Sequence, residues 1–340
     1  MASLGCQPCG HGRREYPLQW RSLPFVSHSE QFQTILAACR ANLVACIDGG
    51  AVDTCWRERA QWTGDLRMSA LALRSLTEND EVIDLALHQI AQSYNPKTAL
   101  VSGVWPAMQP GEGLPIPGFH LAFCLAALEH DPTLQRDPLV RQVVQASFDA
   151  WQQHYYREGL VQGMPGWYFT DWDYSDPVAL GRDEGEVLPN AVCNAWWSDW
   201  CAFMQPELAI HPTVFEQSFW MGTAYALTTA KTCASPHATA TALNASLAMH
   251  HRQDCLVYLE QAIATQEINQ RVTPYFAYFV ALALQQISPQ RSLEFAEGFY
   301  GSIAQTYGTI YEKTNDEASL AHGWSVAIAA LLTQPESKLL

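Results

Sequence analysis

A chain of 340 residues with 48% hydrophobic and 11% aromatic content is long enough to bury a large core and too apolar to stay disordered. Its net charge of −15 supplies no basic stripe to neutralise phosphates, so nucleic acid is excluded as the expected partner. No apolar run reaches the roughly eighteen residues that a membrane span requires, and no membrane is expected either.

Residues 1–27 read as an irregular lead segment. "CQPCGHG" places Cys6, Cys9 and His11 as half of a zinc pattern, and no second CxxC or HxxxH pair completes it, so no metal is expected. The lead lacks the apolar segment of a signal peptide, which points to a cytoplasmic chain with reduced thiols. Most of the ten cysteines, Cys39, Cys46, Cys124, Cys193 and Cys201 among them, fall inside apolar helical runs, where a free thiol acts as a small hydrophobe. Residues 28–335 contain no Gly/Ser run, Pro-rich spacer or charge block, and are read as one large domain.

Helical periodicity recurs along that domain and no strand pattern persists. Residues 29–48 put Phe32, Ile35, Leu36, Cys39, Leu43, Val44 and Ile47 on one stripe, with Gln33, Arg40 and Asn42 on a wet back, and end at Gly49-Gly50. Residues 63–76, in contrast, are apolar around most of their circumference after the first turn. The two kinds alternate. Half-wet helices are predicted at 29–48, 80–95, 137–157, 212–230, 252–266 and 289–306. Dry ones are predicted at 63–76, 116–130, 188–204, 236–249, 272–287 and 318–333. A helix apolar all round is buried on all sides. Six of each kind in alternation suit an all-α fold of two concentric rings, an (α/α)6 barrel of six helical hairpins.

Connections from a dry helix to the next wet one are short, whereas several in the other direction are long: 49–62, 96–115, 158–187 and 307–317. In such a barrel these long loops gather on one rim, where function is expected. The first, "DTCWRERAQWTGD", packs Asp53, Arg57, Glu58, Arg59, Trp62 and Asp65 into thirteen residues. The second carries Trp105, the third ("GWYFTDWDYSD") Trp167, Asp171, Trp172 and Asp173, and the last Tyr311, Glu312 and Asp316. Indole faces stack on the C–H faces of sugar rings, while carboxylates and guanidinium groups bond their hydroxyls. A carbohydrate pocket is therefore expected. Trp196, Trp197 and Trp200, on a dry helix, read as core.

The pattern D-x-x-x-R-E-R-x-x-W-T-G-D over Asp53–Asp65 resembles the signature of bacterial α-L-rhamnosidases, glycoside hydrolase family 78. "WYFTDW" resembles that family's central Trp/Asp loop, "TPYFAYFVALAL" its late inner helix, and "TIYEK" followed by "HGWSVAIAALL" its final motif. The four matches fall in family order. The resemblance implies an inverting glycosidase on a six-hairpin toroid, acting on a glycoside or oligosaccharide without a cofactor. In it Glu58 is the general acid and Glu312 the base that activates water. Asp53, Arg57 and Asp65 hold the sugar, and His322 is a further candidate. Inversion calls for the two carboxyl groups to stand about 6.5–9.5 Å apart. Thr54, Cys55 and Trp56 replace the family's usual Cys-Pro interval, so different pocket walls are expected. Family members carry flanking β-sandwich domains, and a toroid without them is expected to expose apolar surface that a second copy could cover.

Alternatives stay open at this point. Asp316 and Glu317 compete with Glu312 as the base. An epimerase or polysaccharide lyase on the same toroid would use Tyr311 or His322 for proton transfer. An inactive sugar-binding domain would turn Glu58 or Glu312 away from the pocket. Finally, Arg57 and Arg59 flank Glu58 and favour its ionised form. Burial and like charge from Asp53 and Asp65 oppose them, provided the arginines turn away, and Glu58 is expected to titrate above a free Glu.

Overall fold

The structure is a computed structural model that describes residues 17–22, 29–106, 113–181, 187–314 and 318–334. Cys6, Cys9 and His11, most of the 1–27 lead, and the alternative bases Asp316 and Glu317 lie outside the described residues.

The described chain is mostly helical. In order run α1 (Glu30–Cys46), α2 (Thr63–Leu76), α3 (Asp80–Ala91), α4 (Pro117–His130), α5 (Pro138–His154), α6 (Ala191–Met204), α7 (Pro212–Phe219) and α8 (Pro236–Asn244). They are followed by α9 (Arg252–Ala264), α10 (Ile268–Arg271), α11 (Pro274–Gln285), α12 (Pro289–Tyr307), a 3-10 turn at Gly323–Val326 and α13 (Ile328–Leu332). Local chemistry sets many of the starts. Proline occupies the first turn of α4, α5, α8, α11 and α12, where its missing N–H has no partner to lose. Asp137 accepts hydrogen bonds from Leu139 N and Val140 N, and Asn190 accepts one from Cys193 N. Helix α12 stops at Gly308, whose φ of 65° is the left-handed cap that glycine tolerates best.

The dry helices form a circuit. Helix α2 packs on α4, α4 on α6, α6 on α8, α8 on α11, α11 on the Gly323–Val326 turn, and that turn returns onto α2. Every residue of α4 from Pro117 to Leu128 is buried. The half-wet helices lie outside the circuit: α5 buries Val140, Val143, Val144, Ser147, Phe148 and Trp151 on one face, and α1 packs along α12. Trp197 and Trp200 are fully enclosed with Trp151 and Phe148 in an aromatic layer between the α5 and α6 helices, which bears out their reading as core. Cys39, Cys46, Cys124, Cys193 and Cys201 are buried free thiols. Among the described residues no helix is long and apolar enough to cross a membrane.

Five expectations need correction. The helix predicted at 212–230 ends at Phe219, because the chain turns through Gly222 (φ 96°) and Trp220 pairs with Tyr225. The one predicted at 236–249 ends at Asn244 and the chain turns at Ser246 (φ 57°). The one predicted at 318–333 breaks into the 3-10 turn and the short α13. A two-residue hairpin, β1 (Tyr156–Arg157) with β2 (Leu160–Val161), replaces the end of the helix predicted at 137–157; Glu158 and Gly159, both at positive φ, make its turn. Asn42, assigned to the wet back of α1, is fully buried. It earns that place by clamping backbone. Its Nδ2 donates to Ile310 O (2.7 Å) and His322 O (3.0 Å), and its Oδ1 accepts from Ile310 N (2.9 Å).

Candidate active site

The long connections meet where the dry helices begin. A hollow of about 190 Å³ is lined by Asp53, Arg57, Glu58 and Trp62 from the connection before α2, Asp65 and Phe119 from the first turns of α2 and α4, Trp167, Phe169 and Trp172 from the connection before α6, and Glu312, His322 and Trp324 near the C-terminus. Positions 58 and 312, 254 residues apart, thus face one cavity.

Backbone pairing holds these segments together. Thr54 bridges to His322, and Gly323 N donates to Asp53 O at 2.6 Å. A side chain at 323 would meet Val52 O at 2.9 Å, so only glycine permits this approach. Asn42 ties both ends of the Glu312 loop to α1 through Ile310 and His322. Ser325 Oγ donates to Tyr311 O, and Glu312 N to Ser319 O. The loop carrying Glu312 is therefore anchored on three sides.

The walls are a run of rings. Trp62 meets Phe119 edge-on, Phe119 meets Phe169, and Phe169 touches Trp167, Trp172 and Trp324 at centroid distances of 4.8–6.4 Å. Trp324 in turn stacks on Tyr275 below. The ammonium of Lys313 sits 3.8 Å over the Trp172 ring.

The two glutamates differ in setting. Glu312 is 2% exposed; its Oε2 accepts from Arg57 Nη2 at 2.6 Å and from Ser319 N at 3.2 Å. Glu58 is 42% exposed at the mouth, and Trp62 Nε1 donates to its Oε2 at 2.7 Å. Arg57 Nη2 also lies 3.5 Å from Glu58 Oε1. One nitrogen reaching both carboxylates caps the gap between those facing oxygens at about 6.1 Å, the two distances laid end to end. Of the flanking arginines only Arg59 turns away, to Asp48.

Behind them sits an acidic floor. Burial, and then the Asp65 charge, push the Asp53 carboxyl up to about 7. Burial, then Glu312 and Glu58, hold Asp65 well above the usual carboxylate range, while burial lowers His322 to about 4. Asp65 Oδ1 lies 3.1 Å from His322 Nδ1, a nitrogen that already accepts from Trp324 N. Two further buried atoms of the lining residues, Asp53 Oδ2 and Trp172 Nε1, have no hydrogen-bond partner among the described residues. Buried polar groups without partners are few in folded proteins and call for an explanation.

Of the residues singled out from sequence, Asp53, Arg57, Glu58, Trp62, Asp65, Trp167, Trp172, Glu312 and His322 line this hollow. Asp171 does not. It is fully buried and accepts from Thr273 N, Thr273 Oγ1, Trp172 N and His237, which makes it a brace between the Trp loop and α11. Trp105 does not either; it lines a separate hollow of about 610 Å³. Phe119, Phe169 and Trp324 were missed. Phe169 and Trp324 stood inside motifs already quoted, but no period marks an aromatic in an irregular loop as facing a cavity; Phe119 looked like any apolar residue of a dry helix. No cluster of three or more metal-binding side chains occurs among the described residues.

Fold and site together define a mostly helical protein with an indole-walled, carboxylate-floored hollow where its dry helices begin. No family model matches the sequence, and no curated protein does. Solved structures do match. A rhamnosidase from Klebsiella oxytoca with rhamnose bound is similar over 92% of this chain and 65% of its own, at 18% identity and a TM-score of 0.70. The GH78 family rhamnosidase of Bacillus sp. GL1 is similar over 93% of this chain and 36% of its own, at 18% identity and a TM-score of 0.73. The Streptomyces avermitilis α-L-rhamnosidase complexed with L-rhamnose is similar over 92% and 32%, at 13% identity and a TM-score of 0.67. The chain spans between about a third and 65% of the length of these proteins. The likeness is one of fold, and it falls on the family that the four sequence motifs resemble.

Proposed function

We propose that the chain is an (α/α)6 catalytic toroid of glycoside hydrolase family 78 and cleaves a terminal α-L-rhamnoside with inversion. The observation that carries this reading is the meeting of Glu58 and Glu312 in one hollow whose walls are indole and phenyl rings and whose floor presents an unpaired buried carboxylate oxygen. A sugar supplies what those groups lack: hydroxyls for Asp53 Oδ2 and Trp172 Nε1, and C–H faces for the rings.

Glu58, at the open mouth, is placed to protonate the departing glycosidic oxygen. Glu312, deep and anchored, is placed to take a proton from water on the opposite face of the ring. Arg57 draws the two facing oxygens to within about 6.1 Å of each other, closer than the roughly 6.5–9.5 Å expected for inversion. In this reading the guanidinium swings onto a sugar hydroxyl as the ring and the water enter. The reading calls for no cofactor. The alternative chemistry through Tyr311 and His322 is less well supported, since Tyr311 is not among the residues lining the hollow. A sugar-binding domain without activity would turn one of the two glutamates away, and both line it.

The experiment is a screen of nitrophenyl glycosides followed by proton NMR of the turnover on the best one. Turnover of the α-L-rhamnoside with the β-anomer of L-rhamnose appearing first supports the reading. The α-anomer first would replace inversion by retention, and no turnover of any glycoside would remove the hydrolase assignment.

A further inference from the structure

Lys313 follows Glu312 directly, and its side chain is held rather than solvated, at 10% exposure. A lysine ordinarily keeps its ammonium in water at the end of a flexible stem. Here the ammonium lies 3.8 Å over the Trp172 ring and 5.7 Å from the Tyr174 ring, and it donates to Tyr174 Oη at 3.0 Å. The two rings stack at an interplanar angle of 15°, so the cation is clamped against a wall of the hollow.

The two oxygens of Glu312 are held differently. Oε2 accepts from Arg57 Nη2 at 2.6 Å and from Ser319 N at 3.2 Å, whereas Oε1 faces the Lys313 ammonium at 3.8 Å. Among the described residues, Arg57 and Lys313 are the cations within 4 Å of Glu312. The other titratable groups facing it are Glu58 across the gap, Asp65 from the first turn of α2, and His322, which burial keeps uncharged at neutral pH. In the proposed mechanism Arg57 turns onto a sugar hydroxyl. Glu312 is then left buried beside other carboxyl groups, and both influences favour its protonated form, which cannot take a proton from water. A second cation that stays in place removes this difficulty, and Lys313 is anchored by two rings and a hydroxyl.

We propose that Lys313 is a positioning residue for the base: it holds Glu312 Oε1 and keeps the carboxylate ionised once Arg57 has moved to the sugar. The inference rests on the glycosidase reading and adds to it which oxygen of Glu312 reacts. Oε2, vacated by Arg57, takes one proton from water as the water oxygen bonds the anomeric carbon. The glycosidic bond breaks, and its electron pair leaves on the oxygen that Glu58 protonates.

The test is the pH dependence of kcat and of kcat/KM on nitrophenyl α-L-rhamnoside for wild type, Lys313→Met and Lys313→Arg. Methionine keeps an unbranched stem against Trp172 and removes the charge, and the melting temperature verifies the fold. An opposite charge within about 4–6 Å favours the ionised carboxylate by one pH unit or more, so its loss moves the acidic limb upward. In Lys313→Met the acidic limb of kcat, which reports the substrate complex, rises by about one pH unit. The rate falls about tenfold on the acid side and is little changed on the plateau. The limb of kcat/KM, which reports the free enzyme with Arg57 still on Glu312, rises less. Lys313→Arg returns the kcat limb to its wild-type place. A kcat limb that stays where it is in Lys313→Met, or a loss equal at every pH, would overturn the role. If the methionine variant does not fold, Lys313→Gln is read in the same way. Wild type that turns over no glycoside at any pH defeats the hydrolase reading on its own account. Carbon-13 NMR titration of the Glu312 carboxyl, with Arg57→Met in both proteins, then decides the contact. A titration displaced upward by about one pH unit on adding Lys313→Met supports it, and an unmoved titration overturns it.

Discussion

Glu58→Gln lowers kcat on phenyl α-L-rhamnoside by about 10³-fold, within the range of 10²–10⁴ that general acids contribute. The loss shrinks to about tenfold on the dinitrophenyl glycoside, whose leaving group departs without a proton. That dependence separates an acid from a residue that merely shapes the pocket. It follows from the position of Glu58 at the mouth, 42% exposed and oriented by Trp62 Nε1, where a leaving group exits to solvent. Glu312→Gln behaves differently. Its loss is similar on both substrates, because activation of water does not depend on the leaving group, and azide restores part of the rate because it attacks without deprotonation. Steady-state kinetics on the two substrates, with and without azide, check both statements. A Glu58→Gln enzyme with full activity on the phenyl glycoside would remove that residue from the chemistry.

Asp53→Asn produces opposite changes in activity and stability. Its Oδ2 is the buried acceptor without a partner, and Asn replaces a charge-assisted bond to a sugar hydroxyl by a weaker one. A lost contribution of about 1.5–3 kcal/mol corresponds to a fall in kcat/KM of roughly 10–100-fold. The stability effect runs the other way. In the folded protein burial and the Asp65 charge raise the Asp53 pKa to about 7, against 3.8 for a free aspartate side chain. Between those values the folded state binds more protons than the unfolded one, so stability falls as pH rises from about 4 to 7 and stays reduced above it. Asn carries no such penalty. Discounted for solvent screening, the relief is about 1–2 kcal/mol, a rise in Tm of a few degrees at pH 8 that disappears by pH 4. The buried His322, lowered to about 4, acts with the opposite sign: its contribution is lost as pH falls from 6.5 to 4. At pH 8 it is neutral in both proteins and does not enter the difference. Thermal denaturation of the two at pH 4 and pH 8 is the measurement. A variant less stable than wild type at pH 8 would contradict the burial account of this acidic floor.

Much of the architecture was legible because it depends on which faces of each helix are apolar. Helix α2 begins and ends at the predicted residues, 63 and 76, since a run that is apolar around its circumference has sharp polar limits. The long connections were legible for the same reason, being what lies between such runs. Legibility failed where short apolar segments bend. "SFWMGTAYALTTA" carries helix-like spacing, yet Gly222 and the Trp220–Tyr225 pairing turn it after Phe219. It failed again inside the loops. Trp105 and Trp172 both stand in irregular long connections, but Trp172 lines the first hollow and Trp105 does not. Asp171 and Trp172 are adjacent, and one residue of register decides which braces Thr273 and which lines the cavity. Asn42 was misread because a polar residue off the stripe normally faces water. Only the distant carbonyls of Ile310 and His322 explain its burial. The family motifs found the glutamates, and the geometry supplied their different depths.

The central claim is that one sugar ring lies between residues 58 and 312 when the chain acts. A crystal structure of the Glu58→Gln protein with an α-L-rhamnoside bound tests it directly. The account predicts density for the ring in the 190 Å³ hollow, with the glycosidic oxygen within hydrogen-bond reach of residue 58 and a water between Glu312 and the anomeric carbon. A rhamnoside bound elsewhere, or with its anomeric carbon out of reach of Glu312, would contradict it.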